Sequence, residues 1–150
     1  MTVVLDASAW LAYLLDETAA AAVEDLVVDG AVMSAVNLAE VCSRLADVRR
    51  EVAMVLERAA AAIARSEEPR FVTSGLPVLP ETIEIMPFTE ADAWTVGGLR
   101  LATRDTGLSL GDRACLALAR RLDASVVTTN KSWLDLDASV TGVDVIVVTT

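Results

Sequence analysis

The chain begins with an unbroken run of apolar residues, "VVL", that stops at a carboxylate, Asp6. Beyond it Leu11, Leu14 and Leu15 recur at helical spacing, so the pattern predicts a short buried strand and then a helix with Ser8 as its N-cap. "TAAAAVEDLVVDG" predicts a second helix closing near Gly30, "AVMSA" a short strand, and "NLAEVCSRLADV" another helix. "RREVAMVLERAAAAIARSEE" predicts a further helix, either continuing in direction or kinked near Asp47. Pro69, Gly75, Pro77 and Pro80 then break the pattern into a loop. "TIEIMPF" reads as a strand, and "TEADAWTVGGLRLATRDTG" as a helix opened by the capping-box pattern Thr89-x-x-Asp92. "LSLGDRACLALARRLDA" is a loop and helix, and "SVVTT" and "VDVIVV" are the last strands. Strands alternating with helices predict an α/β fold, a parallel sheet between two helical layers with right-handed crossovers. No repeat or composition shift divides residues 1–150, which read as one domain.

The carboxylate that ends the first strand needs a reason. Burial disfavours its charged form unless something pairs with it, so Asp6 either caps a helix or holds a cation. In open α/β sheets the functional crevice lies outside the carboxyl ends of the strands. Asp6 falls at such an end, as do Glu40, early in the helix after "AVMSA", and Asp112, in the first turn after "GLSLG".

Composition narrows the chemistry. There is no histidine, which removes Ser-His-Asp hydrolysis, histidine acid/base ribonuclease chemistry and His-ligated metals. A formal net charge of −10 argues against a large electrostatic footprint on nucleic acid unless a divalent cation reverses it locally. Cys42 and Cys115 lie far apart in apolar helical contexts, as small core residues rather than a disulfide or zinc pair. No apolar run reaches the roughly 18 residues of a membrane span, and the N-terminus lacks a signal peptide's basic region, so a cytoplasmic, membrane-free protein is expected.

Three carboxylates meeting at one sheet edge would build a site for Mg²⁺ or Mn²⁺, hard cations that take oxygen ligands and share substrate phosphates. The competing reading is structural. Asn37-x-x-Glu40 and Ser109-x-x-Asp112 both match capping boxes, and Glu40 is one turn from Arg44. A phosphatase of the haloacid dehalogenase type would need a second aspartate where Ser8 stands, and a phosphorylation-switched receiver would need a pair of acids after the first strand.

The segments "VVLDASA", "SAVNLAEV", "LSLGDRACLALA" and "VVTTNKSW" resemble, in order and spacing, the motifs of PIN-domain ribonucleases, especially the VapC toxins of bacterial toxin–antitoxin pairs. The resemblance spans almost the whole chain. It implies a three-layer α/β/α fold around a central parallel sheet, Mg²⁺- or Mn²⁺-dependent RNA cleavage, and inhibition by a VapB-type antitoxin. It assigns Asp6, Glu40 and Asp112 to the catalytic, metal-binding acids, with Asp6 and Asp112 as the direct ligands. Glu40 would then hold a water or act as general base. Ser8 matches the small hydroxyl residue beside the first acid. Asn37, one turn before Glu40, would orient that carboxylate, contact a phosphate or cap the helix. Asn130 departs from the pattern, because the family usually carries a fourth acid there; Asp135 is a substitute or a solvated surface acid. Lys131 would meet phosphate, and Trp133 would stack on a base or pack under the last helix. Arg44, Arg49, Arg50, Arg100, Arg104 and Arg113 are the main source of positive potential, mostly on solvated helix faces.

The partners expected are RNA, a second copy of the chain, and an antitoxin whose arginine enters the acidic pocket. The apolar helices "WLAYLL" and "VAMVLERAAAAI" would line the antitoxin groove and a homodimer surface. The alternative is a catalytically silent module whose acids only receive a partner's arginine.

Overall fold

The computed structural model describes residues 2–47 and 83–149. In order, they form β1 (Val3–Leu5), α1 (Ala7–Leu14), α2 (Ala20–Val27), β2 (Ala31–Ser34), α3 (Ala35–Asp47), β3 (Ile83–Met86), α4 (Glu90–Ala102), α5 (Leu110–Leu122), β4 (Ser125–Thr128), α6 (Ala138–Thr141) and β5 (Val145–Val147). Short 3₁₀ turns at Arg104–Thr106 and Lys131–Asp135 precede α5 and α6. The helix expected within 49–68 and the proline loop lie outside the described residues.

The strands form one five-stranded sheet in the order β3-β2-β1-β4-β5, with every pairing parallel. Successive side chains of a strand point to opposite faces, and here both faces are covered, so the inner strands read as continuous apolar runs rather than alternating ones. Val3, Leu5, Met33 and Val127 join Trp10, Tyr13, Val23 and Val41 of α1, α2 and α3 in one core. Val4, Val32 and Val126 face the other way, into a second core with Leu99 of α4, Leu116 of α5 and Trp133. These two cores make the three-layer α/β/α arrangement that the alternation predicts. Cys42 and Cys115 are free thiols, Cys115 fully buried. No helix among the described residues is long and apolar enough to cross a membrane.

Three local expectations are corrected. Ser8 is not the N-cap of α1; that position belongs to Asp6, with extended backbone at φ −72°, ψ 154°, and no capping bond from its side chain. The predicted helix through "TRDTG" stops at Ala102, where Thr103 takes the C-cap and Gly107 turns the chain at φ 69°. The "WLAYLL" segment is not a docking groove. Trp10, Ala12, Tyr13 and Leu14 are buried in the protein's own core, with the Trp10 and Tyr13 rings stacked 5.0 Å apart. "VAMVLERAAAAI" lies outside the described residues.

The Thr89 capping box forms as predicted: the Thr89 hydroxyl accepts the Asp92 N–H at 3.2 Å, and Asp92 Oδ2 accepts the Thr89 N–H at 2.8 Å. Asp92 is buried and paired. Arg121, at the end of α5, donates from Nε to Asp92 Oδ1 at 3.0 Å and from Nη2 to the Pro87 carbonyl at 3.1 Å, so one guanidinium ties α5 to the β3–α4 connection. Arg121→Ala leaves that buried carboxylate without its cation and should lower unfolding free energy by about 1–2 kcal/mol in urea titration, with little effect on any activity.

Candidate active site

The strand order reverses between β1 and β4, which places a crevice outside the carboxyl ends of those two strands. Asp6 follows β1 there, and its backbone N–H reaches the Val127 carbonyl of β4 at 3.0 Å. The carboxylate is 3% exposed. Its Oδ2 accepts two hydroxyl protons, from Ser8 Oγ at 2.6 Å and from Thr128 Oγ1 at 2.9 Å. Each hydroxyl also accepts a backbone N–H, Ser8 from Thr129 and Thr128 from Asn130, both at 3.1 Å. With their acceptor side engaged by the main chain, the two hydroxyls turn their protons toward Asp6, and both bonds fall on the one oxygen, Oδ2. Burial nevertheless pushes the Asp6 carboxyl up; Ser8 opposes this, the Asp112 carboxylate adds to it, and Thr128 and the Ala7 N–H oppose it.

Glu40 arrives from α3. That helix starts directly from β2 with no intervening loop, and the Val36 N–H reaches Ser34 Oγ at 3.3 Å. Asn37 is therefore inside the first turn and not a cap, which corrects the Asn37-x-x-Glu40 capping box. It is completely buried, and its Nδ2 donates to Glu40 Oε2 at 3.0 Å and to the Gly111 carbonyl at 3.1 Å. The two acceptors fix the amide's orientation. Its Oδ1 has no hydrogen-bond partner among the described residues. Arg44 is exposed, and the Glu40 carboxylate turns instead to Asn37 and Gly111. Burial raises the Glu40 carboxyl, Asn37 opposes this, and Asp6 and Asp112 push it further up.

Asp112 sits in the first turn of α5, where the capping-box expectation holds. The Ser109 hydroxyl accepts the Asp112 N–H at 3.1 Å, and Asp112 Oδ2 accepts the Ser109 N–H at 2.7 Å. Capping and convergence are thus not alternatives, because the cap's side-chain bond falls on Oδ2 while the charge still acts on Asp6 and Glu40. All three acids act on the same buried thiol: Cys115 is raised well above its ordinary value by burial, and Asp6, Asp112 and Glu40 each add to the shift. Three separate elements therefore bring negative charge to one place.

The donor set is hard oxygen throughout. Among the described residues no three acidic or thiol side chains close into a ready-made metal cage. A divalent ion here would have to complete its shell with water and substrate oxygens, as Mg²⁺ does when it takes only one or two carboxylates. Among the described residues, no arginine or lysine is among the groups acting on Asp6 or Glu40, and the Asn37 oxygen has no hydrogen-bond partner. The residues present therefore fit a divalent cation.

The other sequence candidates lie outside this cluster. Asn130 is exposed and its Oδ1 caps the following 3₁₀ turn, accepting the Ser132 N–H at 3.0 Å and hydroxyl at 2.8 Å. Lys131 and Asp135 are exposed. Trp133 is 1% exposed in the second core, so it packs and does not stack on a base. Arg113 is half-buried, with Nη1 on the Leu108 carbonyl at 3.1 Å. Arg49 and Arg50 lie outside the described residues. Sequence reasoning missed Thr128 and Gly111. Thr128 had a faint signal, a hydroxyl ending the strand next to β1; Gly111 had none.

Comparison with known proteins agrees with this fold. No curated protein sequence matches significantly. Among solved structures, a toxin–antitoxin complex from Klebsiella pneumoniae aligns with a TM-score of 0.63 at 16% identity, over 98% of this chain and 98% of that one. VapBC2 from Rickettsia felis, bound to a promoter DNA fragment, aligns with a TM-score of 0.65 at 14% identity, over 97% and 98%. VapC20 from Mycobacterium tuberculosis, a sarcin-ricin-loop-cleaving toxin, aligns with a TM-score of 0.57 at 13% identity, over 93% of each. At such identities the likeness is one of fold. The sequence itself matches the PIN domain over residues 3–138, a span that contains every acid of the crevice, and the chain belongs to the PIN-domain family.

Proposed function

We propose that the chain is a divalent-metal-dependent endoribonuclease, the toxin of a toxin–antitoxin pair. The observation that carries this reading is the convergence of Asp6, Glu40 and Asp112 from three elements on the β1/β4 crevice, with no cation among the described residues acting on Asp6 or Glu40. Asp6 and Asp112 would hold Mg²⁺ or Mn²⁺, which when bound would lower the pKa of water and offset charge building on the phosphate. Ser8 and Thr128 fix Asp6 through its Oδ2. Glu40, whose carboxyl burial raises above its ordinary value, takes the proton of the attacking water. RNA binding draws on the metal and a few arginines, which favours a structured target over any accessible single strand. One structural neighbour, VapC20 from Mycobacterium tuberculosis, is a sarcin-ricin-loop-cleaving toxin.

The partner is a VapB-type antitoxin with a basic tail, since an arginine placed against the three acids would replace the metal and neutralise their charge. The toxin acts in the cytoplasm as a homodimer, with its RNA. The rival reading, a silent module whose pocket only receives such an arginine, draws on Asn130, an exposed amide where the family usually has an acid. Calorimetric titration separates the two. The enzyme is expected to bind Mn²⁺ and to lose that binding in Asp112→Asn; a protein that binds the basic partner but no Mn²⁺ is the silent module.

A further inference from the structure

We propose that Gly111 is a positioning residue for Glu40, a glycine kept so that the carboxylate can lie where a side chain at 111 would otherwise be. Gly111 is the second residue of α5, after the Ser109 cap, and it is not among the glycines with positive φ, so its backbone does not require glycine. Helix propensity also disfavours it there. The reason is space: a Cβ at 111 would overlap the Glu40 carboxylate, whose two oxygens and carboxyl carbon are its nearest neighbours. Asn37 holds the arrangement from the other side, with one Nδ2 group on both Glu40 Oε2 and the Gly111 carbonyl. α3 and α5 are thereby clamped together at the crevice, and the carboxylate is confined between an amide donor and a bare Cα. Glu40 thus reaches the cluster through a gap supplied by the residue just before Asp112.

This inference rests on the ribonuclease reading for its consequence but not for its geometry. Gly111→Ala should expel the Glu40 carboxylate, weaken Mn²⁺ binding measured by calorimetry about tenfold, and lower kcat on RNA while leaving KM nearly unchanged. The melting temperature in chelator should hold or rise, because alanine is the better helix residue. Shortening the acid by one methylene withdraws it from the new methyl group. Glu40→Asp alone should therefore impair binding, whereas Gly111→Ala with Glu40→Asp should bind Mn²⁺ no worse than Gly111→Ala. Independent effects that multiply, or a Gly111→Ala protein within twofold of wild type, would overturn the proposal. Wild-type protein that binds no Mn²⁺ overturns the functional reading instead. The positioning is then read from a crystal structure of Gly111→Ala in chelator: Glu40 released from Asn37 supports it, and Glu40 still bonded to Asn37 overturns it.

Discussion

Asp6→Asn should lower RNA cleavage by about 100-fold or more while melting in chelator at a temperature no lower than that of wild type. The two halves of this expectation have one cause. Asparagine is nearly isosteric with aspartate and can still accept the Ser8 and Thr128 hydroxyls through its carbonyl oxygen, so the packing around residue 6 survives. What disappears is a buried negative charge that no cation among the described residues balances. Losing it removes a ligand and relieves repulsion by the same act. If Asp6 served only to support the start of α1, the substitution would instead cost stability and spare activity.

The same electrostatics fix a pH dependence. Asp6 and Glu40 both have carboxyls raised above their ordinary values of 3.8 and 4.5. Each therefore binds its proton more tightly folded than unfolded, so it favours folding at low pH and loses that contribution as pH rises from the ordinary value through the raised one. In chelator the chain should gain stability from these two groups near pH 5 relative to pH 7.5, and Asp6→Asn with Glu40→Gln should flatten the difference. Added Mn²⁺ should reverse the trend, because a cation favours the ionised forms. A wild-type curve unchanged by the double substitution would show that burial and neighbouring charge do not raise these two carboxyls in the folded chain.

The parts of the fold and site that the sequence revealed share a physical origin. Buried parallel strands must be apolar on both faces, so "VVL", "AVMS" and "SVVT" announced themselves, and a polar residue at the end of such a run had to mark an edge. Asp6 was legible for that reason. Ser8 was misread because a hydroxyl before a helical run has the chemistry of a cap, and only the tertiary neighbour Thr128 shows that its proton goes to Asp6. Asn37 was ambiguous for a similar reason. A capping box presumes a loop before the helix, and β2 runs into α3 without one.

What stayed hidden depended on contacts across long stretches of chain. Thr128 meets Asp6 over 122 positions, and Asn37 meets the Gly111 carbonyl over 74. No periodicity encodes such meetings. Gly111 was invisible in a stronger sense, since its contribution is the absence of a side chain, and that acquires meaning only once Glu40 is seen beside it. Trp133 shows the converse: as a residue it suits either base stacking or packing, and burial alone decides.

RNA cut by this protein should carry a 3′-hydroxyl on one fragment and a 5′-phosphate on the other. Attack by the ribose 2′-hydroxyl, which gives a 2′,3′-cyclic phosphate, calls for a base on the 2′-oxygen and an acid on the departing 5′-oxygen, on opposite sides of an in-line phosphorus. The usual residue for that pair is histidine, and the chain has none. Its raised carboxyls, Asp6 and Glu40, instead converge with Asp112 on a single crevice, so a bound phosphate would meet all three from one side. Water is then the nucleophile: its oxygen bonds phosphorus, its proton passes to Glu40, the bond from phosphorus to the 3′-oxygen breaks, and that oxygen is protonated from solvent. The test is to treat total RNA with purified protein and Mn²⁺ and extend the new ends with poly(A) polymerase, omitting phosphatase. Extension is expected, together with its loss in EDTA and in Asp112→Asn. Ends that extend only after phosphatase treatment, or cleavage that persists in EDTA and in Asp112→Asn, would assign the activity to groups other than these three carboxylates.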